Sequence, residues 1–171
     1  MRATKELSMS NLQRWTGTDA IREAAKYYDY RGPITPEMAH IIQEEGFVGG
    51  EYSDSKGVPT FGVGQTGGYA SKNFFSEVFP EFYVKALENT KDWYKLPTEA
   101  KSAIISMAYR GDWGPKTKAA LAKGDWKDAV KQYLNHDEYR KGKAKVATGA
   151  QRAISERMDR NAQALKALLE E

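Results

Sequence analysis

The chain is 171 residues long, with 26 Lys+Arg against 23 Asp+Glu for a formal charge of +3, and apolar residues make up 40% of it. That length suits one domain or two small lobes, and the composition argues against wholesale disorder. Cysteine is absent and only His40 and His136 represent histidine, which excludes disulfides, thiolate nucleophiles, Cys-ligated zinc and a His-rich metal centre.

No apolar run approaches membrane-spanning length. The first thirty residues are broken by Arg14, Asp19, Arg22 and Glu23, unlike a secretory signal, so the expected starting compartment is the cytoplasm. Residues 1–34 read as an accessory helical segment. Thr18 or Asp19 can cap a helix in which Ile21, Ala24, Ala25 and Tyr28 recur at helical spacing, and Arg31-Gly32-Pro33 breaks it.

A second helix opens at Thr35, where the N-cap, Pro36 at the first position and Glu37 in the first turn agree. Met38, Ile41, Ile42 and Glu45 share one face, and Gly46 ends the helix. Residues 49–64 then turn to Gly, Ser, Thr and aromatics, which predicts two strands around a Ser55-Lys56-Gly57 turn, with Pro59 confining the second to an edge. A three-residue turn pairs Asp54 with Val58 and Tyr52 with Thr60, leaving Asp54 and Thr60 on one face. Gly62 and Gly64 leave that face bare.

From about Lys72 the chain reads as helical. Phe74, Phe75, Val78, Phe79, Phe82, Tyr83 and Leu87 form an aromatic stripe interrupted at Pro80, which predicts a kink or restart. Leu96-Pro97-Thr98-Glu99 opens the helix expected to be most buried. Short helices over 115–123 and 125–134 follow, and a last one covers roughly 151–169. Gly111-Asp112-Trp113 is echoed by Gly124-Asp125-Trp126, which suggests an Asp cap beside a packed Trp in both places.

Glu45 departs from the pattern of its own helix, because it lies on the apolar stripe while Glu44 points away. Apolar neighbours and the negative end of the helix dipole both disfavour its charged form, as a general acid working near neutral pH requires. Asp54, in a polar Ser-Asp-Ser setting, is expected to stay ionised. One protonated and one ionised carboxyl is the pair that glycoside hydrolysis uses. Plainer readings stand beside these: a semi-buried Glu bonded to an Arg, an Asp bonding its own turn, and a Thr present for strand propensity.

Glu45-Gly46, Tyr52, Asp54, Gly57, Thr60, Gly62 and Gly64 resemble, in order and spacing, the catalytic segment of the small bacteriophage lysozymes, endolysins of the muramidase type. The resemblance resumes over residues 103–111 and continues through Leu121, Trp126, Ala129 and Tyr139. It implies an α+β, mostly helical lysozyme-like fold: a small β-hairpin lobe next to a larger helical lobe, with the active-site cleft between them. The catalytic domain would cover 35–171, with helix and hairpin over 35–70 and the helical lobe over 71–171.

The same resemblance implies catalytic roles for Glu45 (acid), Asp54 (stationing the water) and Thr60 (assisting it), with Arg152 pairing the catalytic Glu. It puts Thr66, Tyr109, Thr117 and Gln132 on the saccharide, with no metal and no cofactor. The implied activity is cleavage of the β-1,4 bond after N-acetylmuramic acid, with inversion, by a monomer acting on bacterial cell-wall peptidoglycan. Neither nucleic acid nor stable membrane insertion is implied, and the protein would wait in the host bacterial cytoplasm or travel in the virion. Two departures stand out: Gln65 occupies a position where the family usually has His, and residues 66–95 are shorter than in typical members.

Two alternatives have distinguishing features. A lytic transglycosylase needs one acid/base Glu and no water-holding Asp, so Asp54 and Thr60 weigh against it. A basic helical nucleic-acid-binding module over 116–145 would use Lys116, Lys123, Lys127, Lys131 and their neighbours, but no recognition motif is present.

Overall fold

A computed structural model describes residues 13–54 and 56–170. The chain divides into two compact units, Met1–Glu81 and Phe82–Glu171.

The first unit carries a four-stranded antiparallel sheet in the order β1 (Arg14–Trp15), β2 (Phe47–Ser53), β3 (Pro59–Gly62), β4 (Gln65–Thr66), together with helices α1 (Gly17–Tyr27) and α2 (Pro36–Glu45). The α2 start signals operate as read: the Thr35 side chain accepts from Met38 N–H at 3.2 Å, with Pro36 following. Ile41 and Ile42 are fully buried, each stabilising by roughly 1.5–3 kcal/mol.

The described part of the accessory segment, from residue 13 on, is built into this unit, and residues 1–12 lie outside the described residues. β1 pairs with β2, and α1 buries Ala20 and Ala24 against α2 and β2. The helix starts at Gly17 rather than after Thr18 or Asp19, and the Thr16 side chain makes no cap bond. Nothing in the N-terminal sequence alternates clearly enough to mark a two-residue strand.

The hairpin register is the expected one: Tyr52 faces Thr60, and Asp54 N–H donates to Val58 O at 3.0 Å. Three features differ. β4 pairs with Thr60 and Phe61, so β3 is an interior strand, and Pro59 is tolerated because it is the first residue and lies beyond the reach of β4. A bulge interrupts the ladder between Val48 and Glu51, where Gly49-Gly50 sit. Gly62 and Gly64 are not flat strand positions; both have φ of +62° and turn the chain from β3 into β4.

The aromatic stripe begins as a single π-helical turn, Phe74–Val78, capped by Asn73, and restarts as α3 (Phe79–Glu88) with Pro80 in its first turn.

The second unit is helical: α4 (Thr98–Arg110), α5 (Pro115–Lys123), α6 (Trp126–Leu134), α7 (Asp137–Lys143) and α8 (Gly149–Lys166). α4 is buried along nearly its whole length, as its composition predicts, and α8 packs on α4, α6 and α7. Asp125 caps α6 through Asp128 N–H at 3.0 Å, whereas Asp112 caps nothing and is buried. The echoed tripeptides therefore serve different ends. The sequence reading also passes over α7, a short and highly charged helix with no apolar stripe.

Candidate active site

α2 ends at Glu45, and two neighbours fix that end. From β1, Arg14 Nη2 donates to the Glu45 carbonyl at 3.0 Å, satisfying one of the orphan acceptors that every helix C-terminus leaves. A cation there also meets the negative end of the helix dipole. The Arg14 side chain covers Gly46 so closely that a Cβ would come within 2.9 Å of Nε.

The half-buried Glu45 side chain lies over Gly64, where a Cβ would come within 2.9 Å of the carboxyl carbon and closer still to Oε1. The glycine after β3 thus has two functions: it allows the positive φ of the turn, and it gives the carboxylate a seat on bare backbone.

Asp54 follows β2, on the hairpin face that carries Tyr52. Its Oδ1 accepts from Lys56 N–H and Val58 N–H, both at 2.8 Å. The plain turn role read from the sequence is therefore real, and it fixes the carboxylate at the mouth of the hairpin. The Tyr52 hydroxyl is pushed above its ordinary pKa, first by burial and then by the charges of Glu45 and, more weakly, Asp54, with Arg14 opposing them. Both carboxylates thus act on the same phenol.

Thr60 stands opposite Tyr52 and is 3% exposed; its hydroxyl donates to Val58 O at 2.9 Å. Its proton is committed, and only its lone pairs remain to meet a water.

Beneath the hairpin, Gln65 is 2% exposed and uses its whole side-chain amide. Nε2 donates to Tyr69 O at 2.9 Å and Lys72 O at 2.8 Å, while Oε1 accepts from Tyr28 O–H at 3.0 Å and Val63 N–H at 3.2 Å. Four bonds on one buried amide tie α1, the β3–β4 turn and the 69–72 segment together. Burial, with help from neighbouring Tyr27, pushes the Tyr28 phenol up to about 12 against the opposing effect of the Gln65 bond, so it stays a donor at physiological pH.

The other sequence-predicted residues fall in varied settings. Thr66 is half-buried in β4, paired with Thr60. Tyr109 is half-buried in α4, its ring 5.1 Å from that of Phe82. Gln132 is half-buried in α6 and donates to Asp128 Oδ1 at 3.1 Å. Thr117 is 1% exposed in α5. Arg152 is exposed on α8. The buried arginine of that helix is Arg157, whose Nε and Nη2 donate to Ser106 Oγ at 3.2 and 3.1 Å. Sequence reasoning missed Arg14, Gln65 as a hub, and Gly64 as the seat of Glu45. The Gly62-Val63-Gly64 run and the single Gln after it were the available signals.

Among the described residues no cluster of His, Asp and Glu could hold a metal, and no helix is long and apolar enough to cross a membrane.

No family model and no curated protein matches the sequence. Among solved structures, the chain is similar to the active form of the P1 phage endolysin Lyz, with a TM-score of 0.54 and 15% identity over 91% of this chain and 96% of that one. At that identity the likeness concerns the fold, and the fold of this chain is lysozyme-like α+β.

Proposed function

We propose that the protein is a peptidoglycan hydrolase of the small bacteriophage lysozyme type. It cleaves the β-1,4 bond between N-acetylmuramic acid and N-acetylglucosamine during phage lysis or wall penetration. The observation that carries this reading is the pair Glu45 and Asp54: one carboxyl group seated on Gly64, the other held at the hairpin mouth by Lys56 and Val58 N–H.

In this mechanism Glu45 protonates the leaving glycosidic oxygen. Asp54 holds and deprotonates a water on the opposite face of the sugar, and Thr60 accepts a hydrogen bond from that water through a lone pair. A water attacking directly inverts the anomeric centre. No cofactor is needed, because the two carboxyls supply both proton transfers. Excess lysine on α5 and α6 favours an anionic wall polymer.

The test is clearing of a purified peptidoglycan suspension by wild type and Glu45→Gln, with product analysis. A reducing end of inverted configuration supports hydrolysis, whereas a 1,6-anhydro end indicates a transglycosylase. Full clearing by Glu45→Gln overturns the assignment.

A further inference from the structure

The first unit contains a cavity of about 680 Å³ whose lining includes Thr60 but neither Glu45 nor Asp54. It opens where the end of α1 meets the start of β3, walled by Tyr27, Tyr28, Phe61 and Val58, with Glu51 and Ser71 among its few polar residues. The size suits a small organic ligand.

Two features define its chemistry. The walls are aromatic: the Tyr27 ring lies 5.9 Å from Phe61 and 5.0 Å from Tyr28, and Tyr27 remains 48% exposed. A large tyrosine left half open at a cavity rim offers a π-face to a ligand. The second feature is charge. Among the described lining residues Glu51 is the sole charged side chain, and it stands directly across the ladder from Phe61. No ion pair among the described residues involves it.

An apolar ligand would leave this carboxylate unused, and an anionic one would be repelled by it. An organic cation satisfies both features, since its alkyl surface and charge lie against the rings while the carboxylate supplies the counter-charge.

We propose that this cavity is a binding site for an organic ammonium group, held against Tyr27 and Phe61 and paired with Glu51. It borders the proposed catalytic group at Thr60 but contains neither carboxylate of the pair, and it is read by binding alone, so failure of the wall-hydrolase assignment leaves it standing.

The test is NMR titration of the intact chain with tetramethylammonium chloride and with tert-butanol, a neutral molecule of similar shape, at low and high salt. A parallel pair, butylammonium and butanol, distinguishes a quaternary from a primary ammonium source. We expect at least tenfold tighter binding of an ammonium than of its neutral counterpart, shifts centred on Tyr27 and Phe61, and weakening by salt. Glu51→Gln should weaken ammonium binding about tenfold without altering the melting temperature, because Glu51 is exposed. Tyr27→Leu, at an exposed rim position, should weaken it as well. Equal affinity for the neutral counterparts, absence of binding, or unchanged affinity in Glu51→Gln would each overturn the proposal.

Discussion

The carboxylate of Glu45 rests on the α-carbon of Gly64, so the helix that supplies the acid and the turn that supports it are fitted to each other across 19 residues of sequence. Any side chain at 64 must displace that carboxylate. Gly64→Ala is expected to lose at least tenfold in wall clearing and about 1–2 kcal/mol of stability, the latter from placing a Cβ at φ +62°. Gly67→Ala is the matched control: φ is +54°, and nothing lies within 4 Å of its Cβ. It should lose similar stability and keep its activity. If both variants clear walls equally well, the seat has no catalytic consequence.

Asp54 combines a turn role with a proposed chemical one, and two substitutions separate them. Asparagine keeps an oxygen at Oδ1 to accept from Lys56 and Val58 N–H but removes the charge. Asp54→Asn should therefore preserve the thermal transition and lose most of its hydrolysis. Asp54→Ala should lose hydrolysis and, in addition, about 1 kcal/mol of stability as two turn donors lose their acceptor. An active Asp54→Asn would reduce Asp54 to a turn residue.

The hairpin register, the α2 cap and the burial of α4 were legible in the sequence because each follows from local spacing. Three residues of turn fix which residue faces which, and Thr-Pro-Glu fixes where a helix starts. What was illegible depends on partners distant in sequence. β1 is two residues long and exists only because β2 offers it an edge, and β4 exists only because Gly62 and Gly64 fold the chain back. Arg152 and Arg157 look alike in a charged helix, yet only Arg157 is buried, because only it reaches Ser106.

The Gln65 amide does what a histidine at the same position could not do here. An imidazole offers two nitrogens, whereas Gln65 serves four partners from within the core. Gln65→His should leave at least two buried groups unsatisfied and cost roughly 2–6 kcal/mol, at about 1–3 kcal/mol per orphaned group. Gln65→Met, similar in volume but without the amide, should cost at least as much. Urea unfolding measures both, and a loss below about 0.5 kcal/mol for Gln65→Met would mean that the four bonds contribute little net stability.

Asp112 gives the second unit a pH dependence of defined sign. Its side chain is buried; Oδ2 accepts from Arg110 Nε at 3.1 Å and from Tyr133 O–H at 3.3 Å, while Oδ1 has no hydrogen-bond partner. Burial raises its pKa above the ordinary 3.8 even though Arg110, Arg157 and His136 all pull it down. Between 3.8 and the raised native value, the folded state therefore holds a proton that the unfolded state has released, and stability falls as pH rises. The contribution is fully present below 3.8 and is lost as pH passes through the native value. Asp112→Asn removes this titration while keeping an acceptor for Arg110 and Tyr133. The stability difference between variant and wild type should therefore shift in favour of the variant as pH rises through that window, and then level off. A difference that is flat across the window would mean that the ion pair with Arg110 cancels the cost of burial, and one that shifts toward wild type that it outweighs it.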